Sequence, residues 1–396
     1  MHQLPYFCLK FLRLHMSSFN EQTIIDFLEP VHLFELSFDE GFKKSQIGYY
    51  IDSYEDNFPD LSDADLIIVG ISEYRGKGFP NRGTPSADNF RTEFYQLYQW
   101  HKGVKIADIG NIIIGKNMAD SYAALKIVLS ELLLLEKAKI LIIGGSHDLT
   151  TAQCDAYANL GRTFDLCCID AKMDMDTDAP APADRFLLDM FTKTPNYLNH
   201  YNHLAFQSYF VHPEMLEVID RLRFDCVRVG RVKEKIEEVE PPIRNSDIIS
   251  LDISCIESGH APANLMTPNG LNGEEACRLM QFAGMSSKVS SIGLYNFQQH
   301  LDRNAQTAKQ LSHLAWYLVD GLQQGKQEAD PATRQNFNEF HLAFAEMETT
   351  FLQSKKTGRW WMTLPDGQLL PCSYTDYILA TQNEIPERWL RAVERS

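Results

Sequence analysis

The apolar run Phe164-Asp165-Leu166-Cys167-Cys168-Ile169 stops at Asp170-Ala171-Lys172-Met173-Asp174. Two aspartates at that spacing can face one point just beyond a strand, and clustered carboxylate oxygens suit a hard divalent cation. His147 and Asp252 also follow apolar runs. His147, Asp170, Asp174 and Asp252 are therefore candidate ligands for a single ion. Taken singly, an aspartate at a strand end is more often a helix cap or turn former, the reading given to Asp148 and Asp176. Lys172 stands between the two aspartates, where an imidazole would complete a second metal site. A protonated ammonium cannot ligate a cation, so this chemistry is that of a metal centre with one component exchanged.

The elements that must position these residues alternate. Residues 65–70, 139–145, 164–170, 224–230, 247–252 and 289–294 read as buried strands, being short, apolar and rich in β-branched residues. Helical periodicity covers 86–100, 120–137, 150–159, 273–283 and 305–322, with Ala123, Ala124, Ile127, Val128, Leu132 and Leu135 as the apolar stripe of the second. Apolar strands between helices imply an α/β fold, three αβα layers about a mostly parallel sheet. In such sheets ligands bind beyond the carboxyl ends of the strands, where the candidate residues lie.

The expected organisation is an N-terminal segment over 1–60, an α/β domain over 61–322 and an aromatic extension over 323–396. The first fifteen residues read as a tail or an upstream start, because Leu4 to Leu14 is interrupted by Pro5, Lys10 and Arg13 and is too short for a membrane span. In the extension, Trp360-Trp361-Met362, Tyr374, Tyr377 and Trp389 either pack on the main domain or a sister subunit, or present a partner surface. The net charge of −16 argues against nucleic-acid and anionic-membrane binding. Eight cysteines without a CxxC pair give no disulfide framework, so a reducing cytoplasm is expected. Cys167 and Cys168 should point to opposite faces of their strand.

The order of motifs resembles the ureohydrolase superfamily of arginase, agmatinase and formimidoylglutamase. Its Gly-Gly-Asp-His, Asp-Ala-His-x-Asp and Ser-x-Asp-x-Asp stand here as Gly144-Gly145-Ser146-His147, Asp170-Ala171-Lys172-Met173-Asp174 and Ser250-Leu251-Asp252-Ile253-Ser254. Ala261-Pro262 and Thr267-Pro268-Asn269-Gly270-Leu271 are similar to a loop of the family, and Gly83-Thr84-Pro85 to Arg91 loosely so. The resemblance spans about 65–322. It is narrower to Bacteroidetes-type arginase-family proteins carrying the formimidoylglutamase label, which share Gly358-Arg359-Trp360-Trp361-Met362 and Pro371-Cys372-Ser373-Tyr374.

The resemblance implies that His147, Asp170, Asp174 and Asp252 retain the ligands of a first manganese. The non-bridging ligands of the second fall on Lys172 and Ser254, so that site is expected to be lost. The family's substrate-facing glutamate falls on Leu294, which cannot pair with a guanidinium. Two metals bridging one water acidify it strongly. An ammonium among carboxylates can replace the charge of an ion without making a nucleophile. The expected function is a binding or scaffold protein with hydrolysis lost. The alternative is a mononuclear manganese hydrolase of a linear amidine such as N-formimidoylglutamate. Lysine catalysis at Lys172 is disfavoured, because neighbouring carboxylates hold it charged. The partner is a small amidine or a protein, and the resemblance implies a homo-oligomer without membrane insertion.

Overall fold

In a computed structural model, residues 19–37, 41–81, 86–344 and 347–395 are described. The first fifteen residues and Gly83-Thr84-Pro85 lie outside them. The strands, in chain order, are β1 (Leu28–Glu29), β2 (Asp52–Ser53), β3 (Leu66–Gly70), β4 (Ile106–Ile112), β5 (Lys139–Ile143), β6 (Phe164–Ile169), β7 (Leu198–Phe206), β8 (Asp225–Arg228), β9 (Ile248–Asp252), β10 (Ser291–Tyr295), β11 (Phe337–Phe344), β12 (Met347–Ser354), β13 (Trp360–Thr363) and β14 (Leu369–Cys372).

The first ten form one sheet in the order β1-β4-β3-β5-β10-β9-β6-β7-β8, with β2 also on β4. Only β1 runs antiparallel to its neighbour. Side chains alternate across it. Leu66, Ile68, Leu141, Ile143, Cys167, Ile169, Leu251 and Leu294 face one buried cluster, covered by helices Ser86–Phe94, Gly273–Met285 and Gln306–Gly325. Ile67, Val69, Ile140, Ile142, Leu166 and Cys168 face the other, under helices Met118–Leu132 and Thr150–Asn159. The sequence carries this three-layer arrangement in its unbroken apolar runs. Cys167 and Cys168 do lie on opposite faces, and every described cysteine is free. Among the described residues no helix is long and apolar enough to cross a membrane.

Some elements differ from the sequence reading. The first long helix ends at Phe94 instead of running to residue 100, because the Tyr95 and Leu97 carbonyls accept from the backbone N–H groups of Gly48 and Ile47. The run 224–230 yields only a four-residue strand and then turns into a helix at Val229. Strands β4 and β7 have polar interiors that hide them in sequence. In β4, Asp108 is fully buried against Arg91, with Nε–Oδ2 at 2.8 Å, and accepts from Tyr95 Oη at 2.7 Å.

The aromatic extension folds as a four-stranded antiparallel sheet, β11-β12-β13-β14, followed by helices Tyr374–Thr381 and Glu387–Arg395. Phe344, Phe351, Trp360, Met362 and Trp389 form its own core. It docks on the α/β part through buried arginines. Arg244 donates from Nη2 to the Trp360 carbonyl at 2.9 Å, lies with Nε 2.9 Å from Glu240 Oε1, and stacks 4.2 Å above the Trp361 ring. Arg359 reaches back to the Met285 carbonyl at 3.1 Å and to Glu328 Oε2 at 2.8 Å. Removing one partner of a buried ion pair leaves its counter-charge exposed to a low dielectric. Arg244→Ala is therefore expected to lower unfolding stability by about 3 kcal/mol in urea denaturation. A loss under ~0.5 kcal/mol, the range of ordinary surface substitutions, would show that this contact does not hold the extension.

Candidate metal centre

Four adjacent strands, β5, β10, β9 and β6, deliver the site from their carboxyl ends. Their registers align Ile143 with Leu294, Leu294 with Leu251, and Leu251 with Ile169. The residues just past those positions meet at one place. After β5, Gly144 and Gly145 take left-handed backbone angles, φ 97° and 77°. A side chain at Gly145 would also strike Leu149 and the Glu73 carbonyl, so glycine is required for the turn that brings His147 over the sheet edge.

His147, Asp170 and Asp252 are buried, and each has a possible ligand atom within 4.8 Å of those of the other two. His147 Nδ1 lies 2.9 Å from Asp174 Oδ2, 3.1 Å from Asp170 Oδ2 and 3.6 Å from Asp252 Oδ2. Its other nitrogen, Nε2, is 2.9 Å from Ser250 Oγ. The direction of that bond follows from its neighbours. Thr150 Oγ1 gives its proton to the His147 carbonyl at 2.7 Å, so at its 2.6 Å contact with Ser250 it accepts. Ser250 has thereby used its own proton and accepts from His147 Nε2–H. The Phe186 ring stands edge-on to the imidazole, centroids 5.0 Å apart, and fixes its plane.

Nδ1 therefore faces three carboxylates. A bare lone pair in that position would meet only negative oxygens, so the arrangement calls for a proton or a metal ion. Burial opposes a charged imidazole, but the bonds to Asp170 and Asp174 outweigh it and push its pKa well above the ordinary value. Asp170 Oδ2 is buried and, beyond the ion-pair approach of His147 Nδ1 at 3.1 Å, has no hydrogen-bond partner. That orphaned oxygen, the oriented imidazole and the hard carboxylates fit a divalent cation.

The neighbouring position is filled by the chain itself. Lys172 Nζ sits 2.7 Å from Asp174 Oδ1 and is hydrogen-bonded to Asp184 Oδ1, which Lys77 Nζ also reaches at 2.9 Å. Burial disfavours the Lys172 charge, yet Asp174 and Asp170 outweigh it and raise its pKa. For Asp184 the two lysines overcome burial and lower its pKa. Ser254 Oγ donates to Asp170 Oδ1, and its backbone N–H donates to Asp252 Oδ1 at 2.7 Å. Asn296 Nδ2 donates to Asp252 Oδ2. Leu294 is fully buried within β10 and offers no polar atom.

All six residues singled out in sequence, His147, Asp170, Lys172, Asp174, Asp252 and Ser254, converge here. Asp174 is shared between His147 and Lys172 and stands outside the compact group of three. Asp148 is no simple turn former, being buried and accepting a hydrogen bond from Tyr122. Sequence reasoning missed Lys77, Asp184, Ser250 and Asn296. Lys77 and Asp184 are 107 residues apart, with no local signal to join them. Asn296 holds a left-handed angle, φ 63°, to which asparagine is suited, so its place after a strand was a usable sign.

Residues 82–320 match the model of the arginase family. The chain belongs to the arginase family. Among solved structures it is similar to formimidoylglutamase from Bacillus subtilis, at 15% identity and a TM-score of 0.62, over 72% of this chain and 95% of that one. A Trypanosoma cruzi formiminoglutamase with Mn2+ gives 15% identity and a TM-score of 0.60, over 67% and 95%. A hypothetical agmatinase from Burkholderia thailandensis gives 17% and 0.55, over 68% and 90%. No curated protein matches the sequence. The match to the arginase family model stops short of the four-stranded C-terminal sheet, which begins at Phe337.

Two predictions follow from the charges. An ion at Nδ1 displaces a proton there. The raised His147 pKa stabilises the metal-free fold below the unfolded value of about 6.5, and that stabilisation is lost as pH rises through the folded value. Manganese affinity should then rise with pH, with close to one proton released per ion at neutral pH in calorimetry across buffers of different ionisation enthalpy. No release would mean that Nδ1 is already deprotonated. Lys172→Met should cost about 3 kcal/mol in urea denaturation by stranding the buried Asp174, while Asp184 keeps Lys77. An unchanged midpoint would remove Lys172 from the charge balance.

Proposed function

We propose that this arginase-family protein holds one divalent ion, manganese by likeness to its family, at His147, Asp170 and Asp252, with Asp174 shared. On this reading the Lys172 ammonium replaces a second ion, hydrolysis is lost, and the centre serves binding. The observation that carries it is the engagement of Asp174 and Asp184 by Lys172, together with that of Asp170 by Ser254. Asp174 and Asp184 are ion-paired with Lys172, and Asp170 accepts from Ser254, so the chain's own groups engage these carboxylates.

Charge supports the same stoichiometry. Asp170, Asp174, Asp184 and Asp252 face Lys77 and Lys172, which leaves two negative charges for one divalent cation when His147 is neutral. A bound ion supplies a Lewis acid and a more acidic water. The protein's own groups orient His147 through Ser250 and Thr150, and hold Asp252 from both sides through Ser254 and Asn296. Among the described groups at the centre, none is placed as a free general base, because each carboxylate carries a donor or faces His147 Nδ1. Leu294 supplies no carboxylate for an amidinium.

The intact group of His147, Asp170 and Asp252 favours one second reading, a mononuclear C–N hydrolase of a linear amidine. Metal analysis and assay separate the two. Protein purified without chelator and loaded with manganese should carry one ion per chain and release no formamide or urea from N-formimidoylglutamate, agmatine or arginine. Manganese-dependent turnover of any of them would establish the second reading in its place. Lys172→His combined with Ser254→Asp should raise the content to two ions per chain. A content fixed at one would place the obstacle beyond these two side chains.

A further inference from the structure

A cavity of about 390 Å³ opens beside the centre, bounded on one side by Lys77, Lys172, Asp252 and Ser254. Phe79, Ile253, Leu265, Met266 and Leu301 give it much apolar wall, with Asn264, Asn296 and Gln298 also in the lining. Of the lining residues, Leu265 is 72% exposed and Phe79 43% exposed, which leaves hydrocarbon facing water that a ligand would cover. Such walls suit neither the zwitterionic body of an amino acid nor a guanidinium.

Within this apolar enclosure, a few polar atoms are left over. Gln298 lines the cavity, is only 8% exposed, and its side-chain amide makes no hydrogen bond to any described residue. Asn296 Oδ1 is buried without a partner, while its Nδ2 is held by Asp252. Buried polar groups are paired as a rule, so the Asn296 oxygen points to a ligand that pairs it, and the Gln298 amide beside it is free to join that pairing. Lys77 bonds only to Asp184 and keeps donor capacity toward the space. Together these groups ask for a head with both an acceptor and an N–H donor.

The charge of the head follows from the surroundings. Lys77 and Lys172 are matched by Asp174 and Asp184, and one divalent ion matches Asp170 and Asp252. A cavity next to a balanced cluster and lined with hydrocarbon penalises a net charge on the ligand. We propose that this cavity binds a neutral carboxamide carrying a hydrocarbon body. The amide carbonyl would accept from Lys77 or the Gln298 amide, the N–H would donate to Asn296 Oδ1, and the chain would lie on Phe79, Leu265 and Met266. This assignment rests on the single-ion reading for its charge balance, and on the cavity alone for its shape and unpaired atoms.

Isothermal titration of the full-length, manganese-saturated protein tests it with four probes: hexanamide, hexanoate, hexylammonium and acetamide. Hexanamide should bind saturably. Hexanoate and hexylammonium, with the same chain and a charged head, should bind at least about tenfold more weakly, and acetamide should give no signal. Gln298→Leu should weaken hexanamide roughly tenfold while keeping or raising the thermal midpoint, because it removes a polar group that the fold does not use. A purely structural glutamine would instead lower the midpoint. No saturable hexanamide binding, tighter binding of either charged probe, or an unchanged affinity in Gln298→Leu would overturn the proposal. Ammonia release and metal content measured on the same samples keep the two claims apart. Conversion of hexanamide to hexanoate and ammonia would end the reading of lost hydrolysis and leave the ligand class standing.

Discussion

Everything at the carboxyl edge of this sheet answers to one constraint: His147 Nδ1 points into carboxylates and must meet a positive charge. The constraint is enforced from behind, by the bonds from His147 through Ser250 to Thr150 and back to the His147 carbonyl. These leave no freedom to exchange the two ring nitrogens. The edge-on Phe186 ring and the glycine turn at 144–145 prevent the imidazole from swinging away. A fold that accumulates carboxylates in a dry place must supply cations there, and this chain does so in two ways. Lys172 and Lys77 are built in, while the place at Nδ1 is left for a proton or an ion.

On the proposed reading, that division lets the centre keep its architecture while its chemistry changes. An ion and an ammonium both hold carboxylates together, but only the ion acidifies a bound water. On the proposed reading, Lys172 holds Asp174 and Asp184 in the place of one ion and supplies no second Lewis acid. Ser254 serves the same charge balance, since its hydroxyl donates to Asp170 where a carboxylate would repel it. The same reading takes in the buried Leu294, which brings no carboxylate to the centre.

Much of this was legible in sequence, for identifiable reasons. Buried parallel strands announce themselves as unbroken apolar runs, and the strand-end rule placed His147, Asp170, Asp252 and Lys172 together. Strands β4 and β7 escaped because their interiors hold Asp108, His200, Asn202 and His203, whose burial depends on partners elsewhere in the fold, such as Arg91 for Asp108 and Asp225 for His200. The antiparallel sheet of the extension escaped because its aromatic residues read only as packing or as a partner surface, with no strand pattern drawn from them; Trp360, Trp361 and Trp389 are buried. Lys77 and Asp184 could not be joined to Lys172 by any local pattern. Long-range polar pairing is set by the closed fold, and periodicity carries no record of it.

The central claim is that one cation, not two, sits among these carboxylates. Anomalous diffraction at the manganese edge from manganese-soaked crystals measures this directly. The account predicts one peak, touched by His147 Nδ1, Asp170 and Asp252, with Lys172 Nζ beside Asp174 and no second peak near it. Two peaks, or an empty centre with Lys172 alone among the aspartates, would contradict it.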